Sequence, residues 1–222
     1  MVMSGMIAHW GFHSSADADA ARPIAFLDRD GVLNVGRQGY VNRPSEVELL
    51  PGVADVIAQL KELDFLICVV TNQSAISRGL WDTGQLEVIH QELQQQLLSR
   101  NEHAGIDLFL TCPHRYEDAC GCRKPSPEML YLGHQLLRMS GQKEQMYFSS
   151  KTHPISNRTV NWWGEKPEPF HPLDLMVGDR RSDMGAGWAY GARLFRVSAH
   201  EGIQAASSRL LNENDIGDAF QP

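Results

Sequence analysis

The sequence predicts an α/β fold: a Rossmann-like, three-layer α/β/α arrangement around a mainly parallel sheet. Short apolar runs closed by turn residues alternate with segments of helical spacing, the pattern that builds parallel βαβ units. Three of the runs end directly in polar strings, DRDG, TNQS and GDRRSD, and open α/β sheets bind their ligands at the carboxyl ends of strands. The 222 residues, 42% hydrophobic and 21% charged, have ordinary globular usage and suffice for one domain with decorations.

Taken in order, residues 1–21 are rich in Ala, Ser, Asp and Gly without a period and read as a mobile arm outside a single domain spanning 22–222. After Pro23 the run 24–27 is a buried strand stopped by DRDG. Val53, Val56, Ile57, Leu60 and Leu63 keep helical spacing, and FLICVV at 65–70 is the second strand. Leu86, Ile89, Leu93 and Leu97 mark the next helix, and 106–110 the third strand. Ser126, Pro127 and Glu128 combine an N-cap, a first-turn proline and an early acid, opening a helix to 139. The stretch 140–172 carries four prolines and the pair Trp162 and Trp163, and reads as a long decorated insertion loop. A strand at 173–177, a helix at 182–190 and a strand at 193–197 complete the alternation.

A net charge of −7 disfavours a polyanionic partner, so no nucleic acid is expected. The longest apolar run, 65–70, falls far short of the ~20 residues that cross a bilayer, so no membrane partner is expected either. The start lacks a basic region followed by an apolar stretch, and Asp17 and Asp19 oppose a transit peptide. These features predict a cytoplasmic protein, taken as a monomer.

Asp28 and Asp30, two apart at the end of the first strand, can divide labour. Asp28 can attack phosphorus to form an aspartyl phosphate, while a protonated Asp30 serves the leaving oxygen and later deprotonates water. Gly31 lets the backbone turn closely. Thr71 and Asn72 offer donors to phosphate oxygens, and Lys124 supplies positive charge. Asp179 can share a divalent cation with Asp28, and Asp183 lies one helical turn on. In CPHRYEDACGC, three cysteines and a histidine, Cys112, His114, Cys120 and Cys122, suit a closed tetrahedral Zn²⁺ site that pins the loop leading into Arg123 and Lys124.

FLDRDGVLN, VVTNQS, CRKPSP and MVGDRRSD resemble the four motifs of the haloacid dehalogenase superfamily of phosphatases. The resemblance implies a phosphoric monoester hydrolase acting on a small phosphorylated metabolite, with Asp28 as nucleophile, Asp30 as acid and base, and Thr71 and Lys124 as phosphate binders. It implies catalytic Mg²⁺ on Asp28, Asp179 and the Asp30 main-chain carbonyl, with Asp183 behind them. The motif spacing leaves no room for a cap domain. CPH followed by CxC before RKP resembles the branch holding histidinol-phosphate phosphatase and the heptose bisphosphate 7-phosphatases, the latter more closely. That likeness implies substrate contacts on Arg37, Gln38, Gly39 and Tyr40, on Thr71, Asn72, Gln73 and Ser74, and on Arg123, Lys124 and Arg180. A phospho-accepting receiver domain uses similar strand-end groups, but needs no acid two residues after its phosphoacceptor and no zinc loop. A nucleic-acid 3′-phosphatase shares the DxDG chemistry, and the net acidity opposes it.

Overall fold

The computed structural model describes residues 5–11, 22–139 and 150–222. Strands β1 (Met6–Trp10), β2 (Ile24–Leu27), β3 (Leu66–Asn72), β4 (Leu108–Cys112), β5 (Ser150–His153), β6 (Leu175–Gly178) and β7 (Arg193–Arg196) form one sheet. Its order is β5-β1-β4-β3-β2-β6-β7. From β4 to β7 the pairing is parallel, and β1 is antiparallel to both its neighbours. Helices α1 (Val53–Glu62), α2 (Thr83–Arg100), α3 (Glu128–His134), α4 (Arg181–Tyr190) and the short α5 (Ser207–Leu210) surround it.

The apolar runs of the parallel strands are continuous because both faces are covered. Ala25, Leu27, Ile67, Val69, Phe109 and Val177 pack with α1 and α2 on one face. Ile24, Phe26, Cys68, Val70, Leu110 and Met176 pack with α3 and α4 on the other. Below the strands, the fully buried Asp174 accepts from Ile24 N (2.8 Å), Tyr190 Oη (3.0 Å) and both terminal nitrogens of buried Arg138. This staple joins the start of β2 to α4 and to the helical turn Gln135–Met139 that continues α3.

β2 pairs with β3 on one side and with β6 on the other. The chain builds outward through β3 and β4, then returns to place β6 and β7 on the opposite flank, so the strand order reverses between β2 and β6. Crevices at such switch points are where ligands bind. Between β2 and β3 the helical content is α1 and one short turn, and between β3 and β4 it is α2. No cap domain stands over the crevice among the described residues.

Two expectations are corrected. Residues 6–10 are not a mobile arm but a strand inside the sheet, with Met6 and Ala8 in one core and Ile7 and His9 buried opposite. Five residues interrupted by histidine and buried on both faces present no period, and their partners, residues 108–111 and 150–153, are distant in sequence. The rest of the expected arm, 1–4 and 12–21, lies outside the described residues. The insertion is not wholly loop: β5 adds an edge strand beside β1, and its polar SKTH carries no apolar signal. Residues 140–149 also lie outside the described residues. Helix α3 opens at Glu128, one residue after Pro127, and Ser126 Oγ donates to Gly121 O while accepting from Glu128 N at 3.4 Å.

Candidate active site

The parallel register places the polar strand ends side by side. Leu27 lies opposite Val177, and Asp28 N donates to Val177 O at 3.0 Å, so Asp28 and Asp179 leave adjacent strands together across the switch point. Lys124 reaches the same place from the far side of β3. Its Nζ donates to Val70 O at 2.7 Å and lies 2.8 Å from Asp28 Oδ1 and 2.7 Å from Asp183 Oδ1. Asn72 fixes the Lys124 backbone, accepting from its N–H at 3.1 Å and donating to its carbonyl at 3.3 Å.

One ammonium thus serves two buried carboxylates. Burial pushes Asp28 up to about 7, against the pull of Lys124, and the charges of Asp183 and Asp30 add to the rise. Burial, then Asp183, also raises Asp179. Burial alone would lower Lys124, but Asp183 and Asp28 outweigh it and hold the ammonium charged. Burial would likewise raise Asp30. Arg29, Asn34 and Gln73 overcome it, and the Asp30 carboxyl sits below the usual range. The two acids are therefore separated, as dual acid and base chemistry requires, but in the sense opposite to the expectation of an ionised Asp28 beside a protonated Asp30. The reason is burial of Asp28, which the shared lysine does not offset, and the Arg29 guanidinium on Asp30, which overcomes burial there.

The excess of negative charge fits a divalent cation. One carboxylate oxygen from each of Asp28, Asp179 and Asp183 lies within 4.8 Å of the others, and Asp179 Oδ1 is buried without a hydrogen-bond partner. Asp183 is already engaged by Lys124 and by Arg180 N at 2.9 Å, where it caps α4, which leaves Asp28 and Asp179 freer to ligate. Gly31, at φ +81°, brings the backbone so near that a Cβ would lie 2.9 Å from Asp179 Oδ2.

The remaining implied substrate residues divide into two groups. Gln38, Gly39 and Arg180 are exposed, Arg37 is largely so, and Arg123 is partly covered. Arg37 leans on Glu46 O and Glu48, and Arg123 Nη1 donates to His114 O at 3.0 Å. Tyr40, at φ 77°, sets its hydroxyl 2.9 Å from Ser74 Oγ. Thr71 and Gln73, by contrast, are 1% exposed. Sequence reasoning passed over Arg29, whose charge between two acids looks like a surface residue but which is 1% exposed. It also passed over Asn42, which accepts from Trp81 Nε1 and from Gln85 Nε2 and so ties the 37–46 loop to the start of α2.

Cys112, His114, Cys120 and Cys122 converge at the end of β4. Their Sγ and Nδ1 atoms lie 3.2 to 3.7 Å apart. A tetrahedron with Zn–S near 2.3 Å has edges of roughly 3.8 Å, whereas a disulfide needs about 2.05 Å. Without a cation these thiols cannot all ionise: the hydrogen bond with Cys120 chiefly pushes Cys112 up to about 12. The donor set therefore fits zinc. The insertion seats against this loop: a Cβ on Gly121 would lie 2.1 Å from Asn157 Oδ1, and Ser156 N donates to buried Glu128 Oε1 at 3.0 Å. Farther on, Trp162 stacks on Trp188 of α4 at 6.0 Å, while Trp163 is 97% exposed. The described insertion clothes the α3 and α4 layer rather than the crevice.

No family model matches the chain. It is 40% identical over 106 residues to D-glycero-beta-D-manno-heptose-1,7-bisphosphate 7-phosphatase of Bordetella bronchiseptica, covering 48% of this chain and 58% of that protein. It is 43% identical over 160 residues to D-glycero-alpha-D-manno-heptose-1,7-bisphosphate 7-phosphatase of Mycobacterium bovis, covering 72% and 68%. The matches thus span less than two thirds of the Bordetella relative and of its Pseudomonas aeruginosa counterpart, 58% and 61%. Among solved structures, the Bordetella heptose bisphosphate phosphatase complexed with magnesium and phosphate is similar at a TM-score of 0.59 and 27% identity, covering 84% of this chain and 85% of that one. A HAD-like phosphatase of Mesorhizobium loti matches over 99% and 98% at a TM-score of 0.68 and 23% identity, a likeness of fold.

Proposed function

The chain belongs to the D-glycero-D-manno-heptose 1,7-bisphosphate 7-phosphatase family of haloacid dehalogenase-like proteins, and we propose that it is a Mg²⁺-dependent phosphomonoesterase that removes the 7-phosphate of such a sugar. The observation that carries this reading is the cluster at the switch point: Asp28 beside Asp179, bridged to Asp183 by Lys124, with Asp30 two residues on. Asp28 and Asp179 would hold Mg²⁺, which supplies positive charge against the phosphoryl oxygens and lowers Asp28 into its ionised form.

Asp28 attacks phosphorus, the ester P–O bond breaks, and Asp30 gives its proton to the departing sugar oxygen. Water then attacks the aspartyl phosphate, Asp30 takes its proton, and Asp28 is released with inorganic phosphate. Lys124 and the Thr71 hydroxyl offset the charge that develops on the phosphoryl group. A dianionic phosphate beside Asp30 raises its proton affinity, because like charges oppose ionisation. Substrate itself thereby loads the acid that Arg29 keeps ionised in the free protein. No cap stands over the crevice among the described residues, and Arg37, Arg123 and Arg180 around it are suited to a second, remote phosphate.

Relatives named for both anomers match this chain at similar identity, so the test compares them directly. Phosphate release is measured with Mg²⁺ on both heptose 1,7-bisphosphate anomers, histidinol phosphate and a panel of sugar monophosphates, with Asp28→Asn as the blank. A large kcat/KM preference for one heptose anomer supports the proposal. Even, weak rates across the panel discard the substrate, and turnover by Asp28→Asn discards the mechanism.

A further inference from the structure

We infer that Gln73 is a positioning residue for the acid Asp30 and for Thr71, and not a contact to substrate. The inference rests on the phosphatase reading above, and its geometry is specific to this chain. Three side chains hold the Asp30 carboxylate. Arg29 forks onto it, with Nη2 2.9 Å from Oδ2 and Nε 3.3 Å from Oδ1. Asn34 Nδ2 donates to Oδ1 at 2.9 Å, and Gln73 Nε2 donates to Oδ2 at 2.8 Å.

These donors are not equivalent. Arg29 and Asn34 belong to the same turn as Asp30 and move with it. Gln73 comes from the end of β3, the strand that carries Thr71. A carboxamide nitrogen has two N–H donors, and Gln73 divides them: one goes to Asp30 Oδ2 and the other to Thr71 Oγ1 at 2.9 Å. Because Thr71 Oγ1 accepts this bond, the Thr71 hydroxyl hydrogen is left to donate toward a phosphate oxygen. One amide therefore fixes the separation of the acid from the phosphate-binding hydroxyl and sets the polarity of the latter.

Gln73 spends both carboxamide hydrogens on Asp30 and Thr71 and has none left for a substrate oxygen, whereas the Asp30 side chain keeps 22% exposure toward the crevice. The Gln73 main chain is anchored as well, donating to Cys112 O at 2.8 Å and so to the carbonyl of a zinc-site cysteine. A group placed behind the reacting atoms and bonded to two of them orients those atoms without touching substrate. Such support matters because small misplacements of catalytic groups are expensive in rate.

The test is Gln73→Met, which keeps the length of the side chain and removes both donors, alongside Gln73→Glu, which keeps the shape and an acceptor. Each is assayed on a sugar phosphate, whose alkoxide leaving group needs a proton, and on p-nitrophenyl phosphate, whose phenolate does not, in single turnovers that isolate transfer to Asp28 from the hydrolysis both esters share. Thermal unfolding verifies that each variant is folded, and the fold is counted intact if either variant melts as the wild type does. The expected result is a fall in the single-turnover transfer rate on the sugar phosphate of about 10- to 100-fold, as for losing a hydrogen bond to a charged group. KM should stay within about twofold, and the loss on p-nitrophenyl phosphate should be at least tenfold smaller. A raised KM with kcat retained would make Gln73 a substrate contact and overturn the inference. Equal slowing on both esters, or unfolding of both variants, would reduce Gln73 to a structural role and overturn it also. Wild-type protein that releases phosphate from neither ester would instead overturn the phosphatase reading itself.

Discussion

Acidification should destabilise this protein through a pair of histidines that face each other inside the sheet layer. His9 of β1 and His90 of α2 bring their Nδ1 atoms to 3.0 Å, and His90 stacks on Phe109 at 4.5 Å. Burial lowers His9 from 6.5 to about 4, and burial, then the charges of His9 and Arg29, lower His90 well below its ordinary value. Both residues are neutral in the folded state near neutrality. For a base depressed by folding, stability is complete above the unfolded pKa and is lost as the pH falls from 6.5 toward the folded value, because the unfolded chain takes up protons that the native state refuses. At 1.36 kcal/mol per unit, the step from pH 7 to pH 5 removes about 2 kcal/mol through His9, and His90 adds a loss in the same direction. Urea unfolding at fixed zinc concentration, at pH 7 and pH 5, compares wild type with His90→Phe, whose ring can still stack on Phe109. The variant should lose less stability than wild type across that interval. Equal losses in the two proteins would refute the reasoning and with it the claim that residues 6–10 are docked.

Gly31→Ala should weaken Mg²⁺ binding at least tenfold in a metal titration while leaving the protein folded, since the added Cβ meets Asp179 Oδ2 at 2.9 Å and φ is +81°. Arg138→Met should destabilise by about 3 to 5 kcal/mol in urea, because Asp174 keeps its buried charge and loses its ion pair. Cys122→Ser should lower bound zinc measured by metal analysis and lower the Tm, with the Mg²⁺ concentration for half-activation unchanged. Arg180→Ala, at an exposed side chain 3.8 Å from Asp179 Oδ2, should raise KM for a sugar bisphosphate more than for the matching monophosphate. Equal effects would remove Arg180 from remote-phosphate binding.

The parallel half of the sheet was legible because each strand is a short, wholly apolar run followed at once by a polar string, and the helices between keep a one-sided stripe. β1 and β5 were not, since an antiparallel pair made of MIAHW and SKTH has neither alternation nor a turn joining it; it exists only because β4 offers an edge. In the site, Asp28, Thr71, Lys124 and Asp179 could be placed from strand ends alone. What could not be placed was direction of charge. Whether Arg29 points outward or folds beneath Asp30 depends on the packing behind the turn, and that choice holds the Asp30 carboxyl below its usual range. The same limit applies to Gln73, since nothing in the polar string TNQS announces that Thr71, Gln73 and Ser74 are all buried.

Strand position also separates the tasks of the two metal sites. Asp28 and Asp179 hang from β2 and β6, on the side of the switch point away from the cysteines, so their spacing is set by the Leu27 to Val177 register. The zinc loop follows β4 on the other side. From there it reaches the reaction centre by two routes: Gln73 N on the carbonyl of Cys112, and the short segment from Cys122 to Lys124, whose backbone Asn72 clamps. The first route governs the acid and the phosphate-binding hydroxyl, and the second the ammonium that faces Asp28. Loosening the zinc loop therefore misplaces proton transfer and charge neutralisation while leaving the carboxylates that would bind Mg²⁺ in register. Zinc held in this loop would act on the rate of the chemical step, and Asp28 with Asp179 on Mg²⁺ affinity, because the parallel sheet puts the cysteine loop after β4 and Asp179 after β6 on opposite sides of β2.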